Sequence, residues 1–181
     1  KKKGPPTLEA QLVNLADEIA YTNHDLDDGI RSGLLDLNEL EEIRLWKEHF
    51  RKGRFDAQKI EIRQAIREII NAHVTDLVTQ VGENIESAGI RDLKDVRLSK
   101  IKLVGYSESF DQKNRELRKF LREKMYRHFR VERMADKAHR ILESLFKTYL
   151  KNPKILPPEV QAQSQSLPLE RAICDHIAGM T

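Results

Sequence analysis

At 181 residues, 39% hydrophobic and 34% charged, the chain has apolar material for one good core or two small ones, and too much of it for a disordered chain. Its single cysteine, Cys174, excludes an internal disulfide, and no CxxC or Cys/His cluster has structural-zinc spacing. No run approaches the roughly 18 consecutive apolar residues of a membrane span and no signal peptide is recognisable, so the expected setting is cytoplasmic.

With only 6 prolines and 8 glycines, long helices are expected, and the periodicity is helical almost throughout. Thr7 is read as an N-cap for a first helix with the stripe Leu8, Leu12, Leu15, Ile19, ending near Asn23. A short second helix is expected from about Asp25 to Leu35. A third, capped by Asn38, carries Leu40, Ile43, Trp46 and Phe50 and ends near Gly53. Asp56 is read as the cap of the longest helix, whose stripe runs through Ile62, Ile66, Ile69, Leu77 and Val81 to a stop at Gly89. Lys100 to Val104 alternates like a short extended segment. Helix returns from about Ser109 to Phe129 and from Val131 to Leu150. Asn152-Pro153 ends it, Leu156-Pro157-Pro158 opens a Gln/Ser-rich loop, and a last helix starts near Pro168. The expected fold is all-α, a helical bundle.

Net charge is only +3, but it is unevenly spread. Asp17 to Glu42 holds nine acidic residues against Arg31 alone, and Lys113 to Arg140 holds eleven lysines and arginines against four acids. Such a division suits cations at one end and phosphates at the other, or two helix faces that pair with each other or with a neighbouring subunit. Arg31, Arg54, Arg63 and Arg67 are candidate phosphate contacts and equally candidate salt-bridge partners. The basic 113–140 stretch, with Phe120, Tyr126 and Phe129, is a candidate contact for single-stranded nucleic acid or a nucleotide effector, although these rings also fit a core.

The first helix carries the sharper signal. At about 100° per residue, Asp17 lies opposite the leucine stripe, among Ala10, Val13, Asn14 and Tyr21 rather than among lysines and glutamates. That composition suggests a helix packed on both sides, its second side lining a polar cavity. Asp17, Tyr21 and Asp25 follow at i, i+4 and i+8, a line of polar groups suited to a metal at one end and a polar ligand along its length. An isolated Asp on a helix is usually solvated. The six histidines show no HxxxH or HExxH spacing, which argues against any of them as a metal ligand on this chain's own terms.

The wording from Leu8-Glu9-Ala10-Gln11 through Ala16-Asp17-Glu18-Ile19-Ala20-Tyr21 to His24-Asp25-Leu26-Asp27-Asp28-Gly29 resembles dGTPase-like deoxynucleoside triphosphate triphosphohydrolases of the HD-domain superfamily. Looser likenesses continue through Arg67 to Leu77, Leu117-Arg118-Lys119-Phe120-Leu121, Met125-Tyr126-Arg127-His128 and Asp175 to Thr181. The resemblance implies that residues 1–35 are the C-terminal end of an HD phosphohydrolase core and residues 36–181 an associated helical domain. It implies hydrolysis of a deoxynucleoside triphosphate to deoxynucleoside and triphosphate, with a divalent metal (Mg, Mn or similar) and a homo-oligomeric assembly. Asp17 takes the place of the family's last metal aspartate, and Tyr21 and Asp25 match positions along the substrate. His24-Asp25 is not the metal His-Asp pair. The other metal ligands and any catalytic base are expected before Lys1, so the chain reads as a piece of a longer protein with no catalytic residue of its own and no activity alone.

Overall fold

The computed structural model describes residues 4–53 and 57–180, all of whose regular elements are helical. Lys1 to Lys3, Arg54, the expected cap Asp56 and Thr181 lie outside the described residues. The chain forms two compact units that meet in sequence between Arg127 and His128. None of the described helices is long and apolar enough to cross a membrane.

The first unit opens with α1 (Leu8–Arg31), capped by Thr7, whose hydroxyl accepts from the Ala10 amide at 3.3 Å. The break expected near Asn23 does not occur. Asn23 is buried inside the helix and donates from Nδ2 to the Ile19 carbonyl at 2.8 Å, so its side chain supports the turn it was expected to end. The helix stops instead at Gly33, whose φ of +69° only glycine adopts cheaply. The amides of Leu34 and Gly33 then donate to the carbonyls of Gly29 and Ile30, a Schellman motif. The same device closes α4 (Gln58–Ser87) at Gly89, φ +64°, as its position in the sequence predicted.

Between them, the single third helix expected after Asn38 is two: α2 (Leu37–Leu40), capped by Asp36 rather than Asn38, and α3 (Arg44–His49). At 100° per residue a straight helix would place Leu45 about 140° from Leu40. The extended residue Ile43 separates the two helices, and Leu40, Ile43, Leu45 and Trp46 are all buried.

After α4 come α5 (Leu93–Leu98), with a reciprocal Asp92/Asp95 capping box, and an irregular stretch to α6 (Glu108–Leu121). The extended segment expected at 100–104 pairs with no strand among the described residues. Leu103 and Val104 are consecutive and both buried, and Asn84 Nδ2 donates to the Leu103 carbonyl at 3.1 Å, satisfying a group that a ladder would otherwise take. A π-helical turn, Arg122–Tyr126, continues α6.

Two apolar clusters hold this unit. One joins Leu26, Leu40, Leu45 and Trp46 to Ile69, Leu117 and Leu121, with Trp46 stacked on Phe50 at 4.9 Å. The other joins Ile19 to Leu77, Val81, Val96, Leu103 and Val104, with Leu8, Leu12 and Leu15 against it. Leu40, Trp46, Ile69, Ile19, Leu77 and Val81 come from the stripes read in the sequence, whereas Leu45, Val96, Leu103, Val104 and Leu117 do not.

The second unit contains α7 (Phe129–Lys151), a 3-10 turn at Pro153–Ile155, α8 (Pro158–Gln163) and α9 (Leu169–Ala178). The tract expected to be loop after Leu156 holds α8 because Pro158 suits a first helical turn and Val160 has a core to enter, beside Leu156, Ala172 and Ile173.

Gly29 shows how tightly the end of α1 is packed. A Cβ there would meet Leu35 Cδ1 at 2.5 Å and Cγ at 2.7 Å, inside the core. Gly29→Ala therefore destabilises by about 1–3 kcal/mol in urea unfolding, although the same change in an exposed helix stabilises by about 1 kcal/mol. Combined with Leu35→Ala, which removes the obstructing atoms, its cost is less than additive.

Candidate functional site

The line Asp17, Tyr21, Asp25 lies on α1 as the spacing requires, one turn and about 6 Å of rise apart. Its surroundings differ along its length. Asp17, Ala10, Val13 and Asn14, in the N-terminal half of this face, are exposed and do not line the cleft that its C-terminal half borders. Tyr21 and Thr22 form one wall of that open cleft, of about 540 Å³, and α6 with its π-helical extension forms the other.

The α6 wall is cationic. Arg115, Arg118, Lys119 and Arg122 fall at i, i+3, i+4 and i+7, a single stripe, while Phe110, Asn114, Leu117, Phe120 and Leu121 are buried on the opposite side. Asp111 is the acidic residue of the lining, and it is paired with Arg115. The position of α6 is set at its first turn: the Asp76 carboxylate on α4 accepts from the Ser107 amide at 2.9 Å and hydroxyl at 2.6 Å, and Ser107 in turn caps the helix at Phe110. The size is that of a small-molecule pocket, and the positive lining suits an anion.

Tyr126 also lines the cleft, and its hydroxyl donates to the Asp25 carboxylate. Burial, then this hydrogen bond and the Asp25 charge, push the Tyr126 hydroxyl up to about 12, so it remains a neutral donor at physiological pH. The sequence offers Tyr126 as a base-stacking aromatic. Its OH is instead engaged across 101 residues of chain, Phe120 is buried, and Phe129 is exposed on α7 in the other unit.

The cations nominated by the sequence lie elsewhere. Arg31 pairs with Asp27 along α1, Arg63 and Arg67 are exposed on α4 away from the cleft, and Arg54 is outside the described residues. The four that line the cleft sit within the basic stretch already noted. A stripe at i, i+3, i+4 and i+7 beside an apolar face was the signal that could have singled them out.

Part of the charge division resolves as pairing within this unit: Glu18 pairs with Arg118 at 2.7 Å and Glu39 with Lys124 at 2.6 Å, while Glu48, beyond the acidic stretch, pairs with Lys113 at 2.7 Å. No group of three or more His, Cys, Asp or Glu side chains capable of holding a metal occurs among the described residues. Asp17 alone would leave a divalent ion with most of its water, so these residues do not form a metal site.

The Tyr126–Asp25 contact has a pH signature. The hydroxyl pKa is raised in the folded state, so its contribution is fully present below pH 10 and is lost as pH rises toward about 12. The difference in urea-unfolding free energy between the wild type and Tyr126→Phe is accordingly flat below pH 10 and shrinks above it.

Residues 104–181 match the model of a phosphohydrolase-associated domain. Over 97% of its length the chain is 47% identical to a deoxyguanosinetriphosphate triphosphohydrolase-like protein of Azoarcus sp. (strain BH72). Over the same share it is 44% and 41% identical to proteins of that description from Geobacter metallireducens and Geobacter sulfurreducens. In each case 47% of the relative is covered, so the chain spans about half the length of the curated relatives it matches. Sustained over nearly all of these 181 residues, the identities place the chain in the deoxyguanosinetriphosphate triphosphohydrolase-like family.

Proposed function

We propose that the cleft between α1 and α6 is part of the substrate site of a deoxynucleoside triphosphate triphosphohydrolase, and that it receives the triphosphate and sugar of a dGTP-like ligand. The observation that carries this reading is the convergence of Arg115, Arg118, Lys119 and Arg122 on one wall with Tyr21 on the other and Tyr126, whose hydroxyl donates to Asp25, among the lining. The cationic wall offsets phosphate charge, with arginine forks matching phosphate oxygens. Tyr21 and Asp25 orient the sugar, which contributes positioning rather than bond making. The names of the relatives support the choice of a deoxyguanosine triphosphate over other anions.

In the whole protein Asp17 is the last of a set of metal ligands, the others being a histidine and a His-Asp pair outside these 181 residues. A divalent cation bound there would supply phosphate neutralisation and a bound water. Residues 1–35 would then complete the HD core, and residues 36–181 form the associated helical domain. Family assembly into homo-oligomers fits the same reading.

Three outcomes are expected. By calorimetry the chain binds dGTP at least about 10-fold more tightly than deoxyguanosine, and Arg122→Ala removes most of that difference, since a charge-assisted phosphate contact is worth about 1.5–3 kcal/mol. Equal affinity for nucleotide and nucleoside would sink the assignment of the cleft. The chain by itself releases no triphosphate from dGTP. In a longer protein carrying the remaining ligands, Asp17→Ala abolishes both turnover and metal retention without loss of helicity; normal turnover in that variant excludes Asp17 as a ligand.

A further inference from the structure

Behind the cleft runs a connected set of polar side chains for which the substrate reading has no use. His73, on α4, is 1% exposed, and its ring reaches an oxygen on each side: Nδ1 lies 2.8 Å from the Ile69 carbonyl and Nε2 lies 3.1 Å from Asn114 Oδ1. Asn114, on α6, is 2% exposed, and its Nδ2 donates to Glu18 Oε1 at 3.2 Å. The same oxygen accepts from Arg118 Nη1 at 2.7 Å. A carboxylate accepts and does not donate, so Glu18 turns the Asn114 amide nitrogen toward itself and leaves Oδ1 facing His73 Nε2; that contact is a hydrogen bond in the tautomer that carries its proton on Nε2, which leaves Nδ1 unprotonated beside the Ile69 carbonyl.

Burying a histidine and an asparagine costs free energy that an apolar pair of similar volume filling the same space would not. Tyr106 and Phe110 pack on the His73 ring at 5.7 and 5.0 Å, both edge-to-face, and fix its plane. The set spans three helices and ends on one of the cations that line the cleft. Arginine has five N–H donors, and Glu18 engages one terminal nitrogen. A carboxylate free to rotate would take a bidentate grip and occupy a whole edge of the guanidinium. Sharing Oε1 with Asn114 restrains Glu18 from doing so.

We infer that His73 and Asn114 are positioning residues for Arg118, acting through Glu18 so that one edge of its guanidinium stays turned to the cleft for a phosphate of the ligand. This rests on the reading of the cleft as a triphosphate subsite.

The test is calorimetric titration of the 181-residue chain with inorganic tripolyphosphate, each variant first checked for helicity by circular dichroism. Arg118→Ala weakens binding about 10-fold or more. Asn114→Leu and His73→Leu each weaken it several-fold, and His73→Gln, whose amide restores a donor of similar reach, recovers most of the loss. In the Arg118→Ala background Asn114→Leu has no further effect, a coupling that a merely structural role would not produce. Should Asn114→Leu fail to fold, Asn114→Ser, smaller and polar, breaks the same connection. Wild-type affinity in a folded Asn114 variant, or a loss of full size that persists without Arg118, overturns the positioning role alone. Unchanged affinity in Arg118→Ala overturns the assignment of the cleft, and this inference with it.

Discussion

The cleft depends on the burial of one face of α6. Leu117, Phe120 and Leu121 enter the same cluster as Leu26, Leu45, Trp46 and Ile69, and that burial leaves the opposite stripe of Arg115, Arg118, Lys119 and Arg122 facing outward beside α1. Fully burying one large apolar side chain is worth about 1.5–3 kcal/mol, whereas a partly exposed ion pair contributes about 0–1 kcal/mol. The apolar face therefore decides where the helix lies, and the charges accept the position it dictates. The Asp76 carboxylate on the Ser107 turn then removes the remaining freedom at the start of α6.

On that frame the electrostatics are local. Within the first unit the two stretches are partly paired, because Glu18 and Glu39 each reach a cation on α6 or its π-helical extension. What survives is a residual positive lining, concentrated where four cations meet Asp111 as the acidic member. A concave surface with that balance attracts anions, and the neutral Tyr126 hydroxyl beside it adds direction without charge. Asp17 stands one turn before Tyr21, which forms a wall of the cleft, and belongs to no group of three or more His, Cys, Asp or Glu side chains able to hold a metal among the described residues.

Where the sequence misled, the cause lay in what side chains met after folding. Asn23 looks like a helix end, because free asparagine competes for backbone groups; buried in α1, it returns that capacity to Ile19 of its own helix. The alternation at Lys100 to Val104 looks like a strand, but a strand requires a partner, and Asn84 meets the Leu103 carbonyl instead. His73 reads as one isolated histidine among six. Only the packing of α4 against α6 shows that it continues through Asn114 and Glu18 to Arg118, over separations of 41, 96 and 100 residues.

The sequence by itself determined the helical class, the stripes on α1 and α4 that enter both clusters of the first unit, the Gly89 stop and, through the wording from Leu8 to Gly29, the family. These are encoded by neighbours within one or two helical turns, where periodicity and backbone preference act directly. Only the tertiary structure decided which cations line the cleft, that Tyr126 meets Asp25, and that the expected break in α1 is bridged. Each of those depends on residues far apart in the chain being brought together by the burial of apolar faces, a many-body outcome that no local spacing carries.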